Sequence, residues 1–266
     1  MELQQSSLYI SYIEKLGWHT SEIDGSTIIF RYFPIYGALA KLQRPTRLPS
    51  PDTLNKLLRE KRIRRITVEP DAVVSQTAFD EWRKKIPSVG GNPFLPTKTI
   101  LVDLTATEDE IFNRFSEAKR RAVRRAEKHG VIVRESANIN ELIAIKSKSA
   151  GLFGSITTYG IIDLWSIFSQ KHASILLAQH GGVLLIFWED TSYYWIAGAT
   201  HQGKKLFTPT LLVWEALKLS KKRGMKQFDF VGVWDERNPK QFHEWKGFTK
   251  FKEGFGGTPR YYPVAG

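Results

Sequence analysis

The chain has 266 residues, 42% hydrophobic and 12% aromatic, enough for a substantial core and too much for a disordered chain. A net charge of +12 points to an anionic partner, whether nucleic acid, phosphorylated substrate or acidic membrane surface. Cysteine is absent, which excludes disulfides, thiol catalysis and thiolate metal sites. No early apolar run reads as a signal peptide, and the longest apolar stretches, such as residues 183–188, are of strand length. The sequence therefore predicts a cytoplasmic protein that at most touches a membrane from its inner face.

In chain order, Leu8, Tyr12 and Leu16 recur at helical spacing and Gly17 stops the first helix. Asp24-Gly25 between two alternating runs predicts a hairpin, because both residues accept positive φ. A third strand over 35–41 carries Lys41, and the proline-rich segment 44–51 excludes a helix. A helix to about Arg62, a strand over 65–68, a helix over 77–86 and a strand over 99–104 follow. Thr107 and Glu110 form a capping-box pattern that opens one basic helix over 108–129, with Ile111, Phe115, Ala118, Ala122 and Ala126 as its apolar stripe. A strand over 131–134 ends this half.

The second half begins with a helix from Asn138 to Ala150, a loop at 151–160 and a helix to Lys171. Strands over 174–179 and 183–188 flank His180-Gly-Gly182, and a third strand covers 192–199. Pro209 sits in the first turn of a helix ending at Gly224, followed by a strand over 228–231. Asn238 or Pro239 starts a short helix. Alternation in Phe248-Thr-Lys-Phe-Lys252 then predicts a half-buried strand, with Gly254, Gly256 and Gly257 permitting close backbone approach.

The element order predicts an α/β (α+β) protein of two related units with mixed, largely antiparallel sheets flanked by helices. The expected division is 1–137 and 138–266, with the last residues able to pack back on the first unit. In Lys119-Arg-Arg-Ala-Val-Arg-Arg-Ala-Glu-Lys128, helical spacing puts Arg121, Arg124, Arg125 and Lys128 on one side. Such a face can track phosphates or simply be solvated, and sequence leaves both open. Asp229, at a strand end facing Gly232, suits either a functional carboxylate or a hydrogen-bonding role. No histidine pair has metal-ligand spacing, and Walker, Gly-x-Gly-x-x-Gly and Gly-x-Ser-x-Gly motifs are absent.

Several stretches, in order, resemble the FemABX family of aminoacyl-tRNA-dependent transferases that build peptidoglycan bridges and branches. They are Thr99-Ile-Leu-Val-Asp-Leu104 with the arginine-rich helix, Tyr193-Tyr-Trp-Ile-Ala-Gly-Ala199, the helix carrying Trp214-Glu215, Phe228-Asp-Phe-Val-Gly232, Lys246-Gly-Phe-Thr-Lys-Phe-Lys-Glu-Gly-Phe-Gly-Gly257, and Tyr261-Tyr262. The resemblance implies two GNAT-like acyltransferase domains. It implies transfer of an amino acid from aminoacyl-tRNA, as co-substrate and without a cofactor, to an amine on a UDP-linked or lipid-linked muropeptide precursor.

Under that resemblance Lys252 would hold the ester carbonyl and Phe251 would shape its pocket. Lys41 would meet the precursor's diphosphate, with Tyr194 and Asp229 as further substrate contacts and the basic helix on tRNA. The family's arginine in the loop after the first second-domain helix is missing from residues 151–160. Two other readings remain open: an acyl-CoA-dependent GNAT N-acyltransferase, and a non-catalytic RNA- or envelope-binding module.

Overall fold

The computed structural model describes every residue except 36, 151–157, 170 and 266. The chain divides into two compact units, Met1–Lys98 with Arg260–Gly266, and Thr99–Pro259. The boundary expected near residue 137 thus lies inside the second unit, because the strand and helices of residues 98–128 join that unit's sheet and core.

In the first unit, Ser6 caps α1 (Ser7–Lys15) by accepting from the Tyr9 N–H. β1 (His19–Ile23) and β2 (Ser26–Phe33) meet through the Asp24-Gly25 turn, where both residues have positive φ. β3 (Gly37–Gln43) pairs antiparallel with β2 and parallel with β4 (Ile63–Glu69). The helix α2 (Pro51–Glu60) supplies the crossover, since parallel neighbours need a connection long enough to return. Leu54 and Leu58 of α2, and Phe79 and Trp82 of α3 (Gln76–Arg83), bury against the four-stranded sheet β1-β2-β3-β4. The C-terminal tail closes this unit: the Arg44 guanidinium lies 3.4 Å from the Tyr262 ring centroid, and Gln76 exchanges hydrogen bonds with the Val264 backbone.

The second unit is built on a seven-stranded sheet of order β11-β5-β10-β9-β8-β7-β6. Its strands are β5 (Lys98–Asp103), β6 (Arg134–Ser136), β7 (Ala173–Ala178), β8 (Gly181–Trp188), β9 (Thr191–Ala199), β10 (Gln227–Asp229) and β11 (Thr258–Tyr261). β7 and β8 form the expected hairpin around His180, and β9 and β10 pair in parallel. The predicted basic helix is in fact two, α4 (Glu108–Asn113) and α5 (Glu117–Lys128), since Ser116 caps a fresh N-terminus. The break rotates the stripe: Ile111, Phe115, Val123 and Ala126 are buried, whereas Ala118 is exposed. α6 (Ile139–Ala150) and α7 (Ile161–Phe168) follow, then α8 (His201–Lys205), α9 (Thr208–Lys222) and α10 (Lys246–Glu253).

The strand predicted at 248–252 is therefore helix α10. Five alternating residues fit either period. The longer window decides for the helix, because Phe251 and Phe255 stand four apart and both turn to the core cluster. The glycines after α10 do permit close approach. A Cβ on Gly254 would collide with Lys119, one on Gly256 with the Arg114 carbonyl, and one on Gly257 with Leu101. Gly256 also has φ +75°, so Gly256→Ala combines backbone strain with a backbone clash. Urea denaturation should show a loss of about 3 kcal/mol or more for Gly256→Ala, against less than about 1 kcal/mol for Gly247→Ala, whose Cβ meets open space.

Candidate active site

The site grows from the end of β10. Val231 has φ +54°, a strained position for a β-branched residue, and Gly232 follows at φ +106°. This stops β10 at Asp229, short of the strand predicted to run to 231. Two buried side chains hold the turn. The Val231 N–H (2.6 Å) and the Thr99 hydroxyl both donate to Asp229 Oδ1, and the Gly232 N–H donates to Thr99 Oγ1 (3.1 Å). Asp229 thus positions the turn, the hydrogen-bonding role that sequence had left open.

The turn aims two carbonyls at α10. Lys252 Nζ donates to Phe230 O (2.8 Å) and Gly232 O (2.6 Å). Burial pushes the Lys252 pKa down from 10.5 to about 8, and the nearby Asp229 charge opposes that shift. The helix is pinned to the same loop by Thr249, whose hydroxyl donates to Trp245 O and accepts from the Trp234 N–H (2.8 Å). An ammonium has three N–H donors. Two go to the turn, which leaves one for a substrate oxygen.

Phe251 lies beside Lys252 and packs on Phe255, with ring centroids 5.2 Å apart. On its other side stands Lys119, which sequence alone did not bring into the site. Its Nζ sits 3.7 Å from the Phe251 centroid, and burial lowers its pKa to about 8. The available signal was its position one residue off the basic face of α5, combined with a glycine at 254 that leaves room for it. The Thr99–Asp229 pair had no signal, because 130 residues separate its members.

The other predicted residues fall elsewhere. Tyr194 is buried in the core of the second unit, its ring 5.7 Å from Phe230 and 6.0 Å from Phe228, and burial raises its pKa. It supports the turn from beneath and is not on an open cleft wall. Lys41 belongs to the first unit, with Nζ 4.2 Å from the Trp18 centroid and 3.9 Å from that of Phe94, and burial lowers its pKa. Residues 151–157 of the loop lacking arginine lie outside the described residues.

Arg121, Arg124, Arg125 and Lys128 are exposed along α5, as the spacing predicts. Arg121 pairs with Glu117 at 3.1 Å, and the Arg125 guanidinium lies 5.6 Å from the Phe207 centroid. The Ser116 N–H at the start of α5 donates to Gly254 O just past α10, so the basic helix begins where the Lys252 helix ends. The basic cluster of α9 is tied down instead: Lys221 donates to Leu104 O, and Arg223 reaches Glu135 and the face of Phe187. Among the described residues, no helix is long and apolar enough to cross a membrane.

A repeated hairpin followed by a parallel crossover, with helices on the sheets, defines a protein of the GNAT-like type. Residues 165–262, a region that includes the Lys252 helix, match the model of the FemAB family. Among solved structures, FemX superposes with a TM-score of 0.75 at 16% identity, covering 98% of this chain and 90% of that one. The C-terminal domain of a putative lysylphosphatidylglycerol synthetase from Agrobacterium fabrum reaches 0.65 at 13% identity, with 98% and 87% covered. A GCN5-related N-acetyltransferase from Kribbella flavida reaches 0.51 at 9% identity, with 98% and 96% covered. At these identities the likeness is one of fold. No curated protein matches the chain.

The Thr99 hydroxyl both donates to Asp229 and accepts from Gly232, so Thr99→Val removes both bonds while keeping the volume. Denaturant titration should show a loss of about 1–3 kcal/mol, from a buried carboxylate and amide left short of partners.

Proposed function

We propose that the chain transfers an amino acid from aminoacyl-tRNA to an amino group on the stem peptide of a UDP-linked or lipid-linked muropeptide. The observation that carries this reading is Lys252, an ammonium held at two corners by backbone carbonyls with its third donor uncommitted. The acceptor amine attacks the ester carbonyl carbon of the aminoacyl group. An amide C–N bond forms, the bond to the tRNA ribose oxygen breaks, and the proton lost by the amine ends on that oxygen. Negative charge gathers on the carbonyl oxygen during attack, and Lys252 donates to it there. A preorganised donor of this kind contributes about 3 kcal/mol. Phe251 shapes one wall, Lys41 meets the precursor's diphosphate, and the face of Arg121, Arg124, Arg125 and Lys128 follows the tRNA backbone. α5 spans about 18 Å, enough to track several phosphates.

An acyl-CoA reading needs a loop of free backbone amides between β9 and α9 to hold a pyrophosphate. That segment is instead the helical turn α8, capped by Thr200, with Gly203 pressed onto the His180 backbone. The geometry therefore disfavours acyl-CoA.

Lys252→Met should lower kcat by roughly 10²–10³-fold in a transfer assay with mixed aminoacyl-tRNAs and muropeptides, with the melting curve retained. A non-catalytic module would leave every activity of Lys252→Met untouched, and consumption of acetyl-CoA would overturn the tRNA assignment. The rate should fall as pH rises through about 8, since Lys252 donates best as the ammonium. Lys252→Arg, whose guanidinium stays charged, should lose that alkaline limb whatever its absolute rate.

Charge reversal at Arg121, Arg124 and Arg125 should weaken tRNA binding and flatten its salt dependence by about one logarithmic unit for each phosphate that is no longer neutralised. Unchanged binding in filter assays would remove α5 from the tRNA site.

A further inference from the structure

The β2–β3 hairpin of the first unit ends in apolar side chains that face solvent. Ile35 is 92% exposed, Tyr32 49%, Leu39 40% and Phe33 38%. Ile35 also has φ +73°, a region in which a β-branched residue is strained and Gly, Asn or Asp is at ease. Backbone strain is thus maintained to hold a large apolar side chain in water, and such outliers persist where they serve a function.

The register makes the tip apolar on both faces. Phe33 stands opposite Gly37, and Leu39 is on the same face opposite Arg31. Tyr32 is on the other face, against His19 and Phe30. β1 pairs with β2 only as far as Phe30, so the end of β2 is an unprotected sheet edge. An exposed apolar edge is an aggregation hazard unless a partner uses it.

The charge around the tip identifies that partner. Arg31 flanks it on β2, Arg62 just before β4, and Arg64 and Arg65 on β4, with Arg65 opposite Leu39 and the Arg64 side chain packed against Gly37. All four are exposed, and none is paired with a carboxylate among the described residues. The acidic turn residue Asp24 lies at the far end of β2, roughly 25 Å away along the strand. Apolar side chains at a tip with a ring of unpaired arginines match the boundary between acyl chains and anionic headgroups.

We propose that the β2–β3 hairpin tip inserts into the surface of an anionic bilayer, with Ile35, Phe33, Tyr32 and Leu39 entering the interface and the arginines binding headgroup phosphates. The inference rests on the first unit alone and is independent of the transferase reading.

The test is flotation of the full chain with vesicles of phosphatidylglycerol and phosphatidylcholine, against phosphatidylcholine alone, at moderate salt. The chain should float with the anionic vesicles and much less with neutral ones. Ile35→Asp should lower the partition by about tenfold with an unchanged or higher Tm, since it removes strain as well as the anchor. Arg31→Glu with Arg64→Glu should lower it by at least about fivefold per arginine. Failure of the wild type to float, or equal flotation of the variants, overturns the proposal. So does concentration-dependent self-association that Ile35→Asp abolishes in the absence of vesicle binding, which would make the tip a contact between copies.

Discussion

The arrangement on which the second unit turns is the contact between one ammonium and two carbonyls. Phe230 O and Gly232 O can both face Lys252 only because Val231 takes a left-handed conformation, and Asp229 with Thr99 holds it there. Each part is unfavourable alone: a strained valine, a buried carboxylate and a desolvated ammonium. Together they satisfy one another. The Lys252 charge is nonetheless destabilised by burial, with its folded pKa well below the unfolded value. The unfolded chain therefore binds more protons between about pH 8 and 10.5, and this residue's contribution to stability rises with pH across that window. Near neutrality the fold keeps the ammonium charged at some cost.

Aromatic rings cover two other half-buried amines. Lys41 lies over Trp18 and Phe94, and Lys119 over Phe251. A ring face returns part of the hydration that burial removes without fixing the proton on a carboxylate partner. The amines are thus kept on apolar ground with donors still available. The exposed cations behave differently. Arg121, Arg124, Arg125 and Lys128 form a solvated stripe on α5, whereas the arginines at the hairpin tip surround apolar side chains. The same net positive charge therefore serves two distinct kinds of surface.

Much of the architecture was legible because local chemistry and tertiary context agree. Asp24-Gly25 forms its turn since both residues accept positive φ, Thr107 and Glu110 form the capping box, and Pro209 starts α9. The alternation of two hairpins with two crossovers conveyed the two-unit, mixed-sheet fold. Within the site, Lys252, Phe251 and the glycines after them were visible as a motif, and the basic face of α5 was visible from helical spacing.

Other features rest on contacts distant in sequence, which no local period can encode. The segment at 248–252 is a helix because Phe251 and Phe255 find the core together. The basic helix breaks at Ser116 because the Gly254 carbonyl meets the Ser116 N–H there, and Asp229 becomes a turn clamp only when Thr99, 130 residues earlier, lies beside it. The boundary at Lys98 is likewise a matter of which sheet a strand joins. The sequence by itself determined the turns, the caps and the charge, and it singled out the Phe251-Lys252 pair as a motif. Tertiary structure alone decided which carbonyls that lysine meets and how far its pKa falls, because burial and carbonyl direction belong to the packed chain.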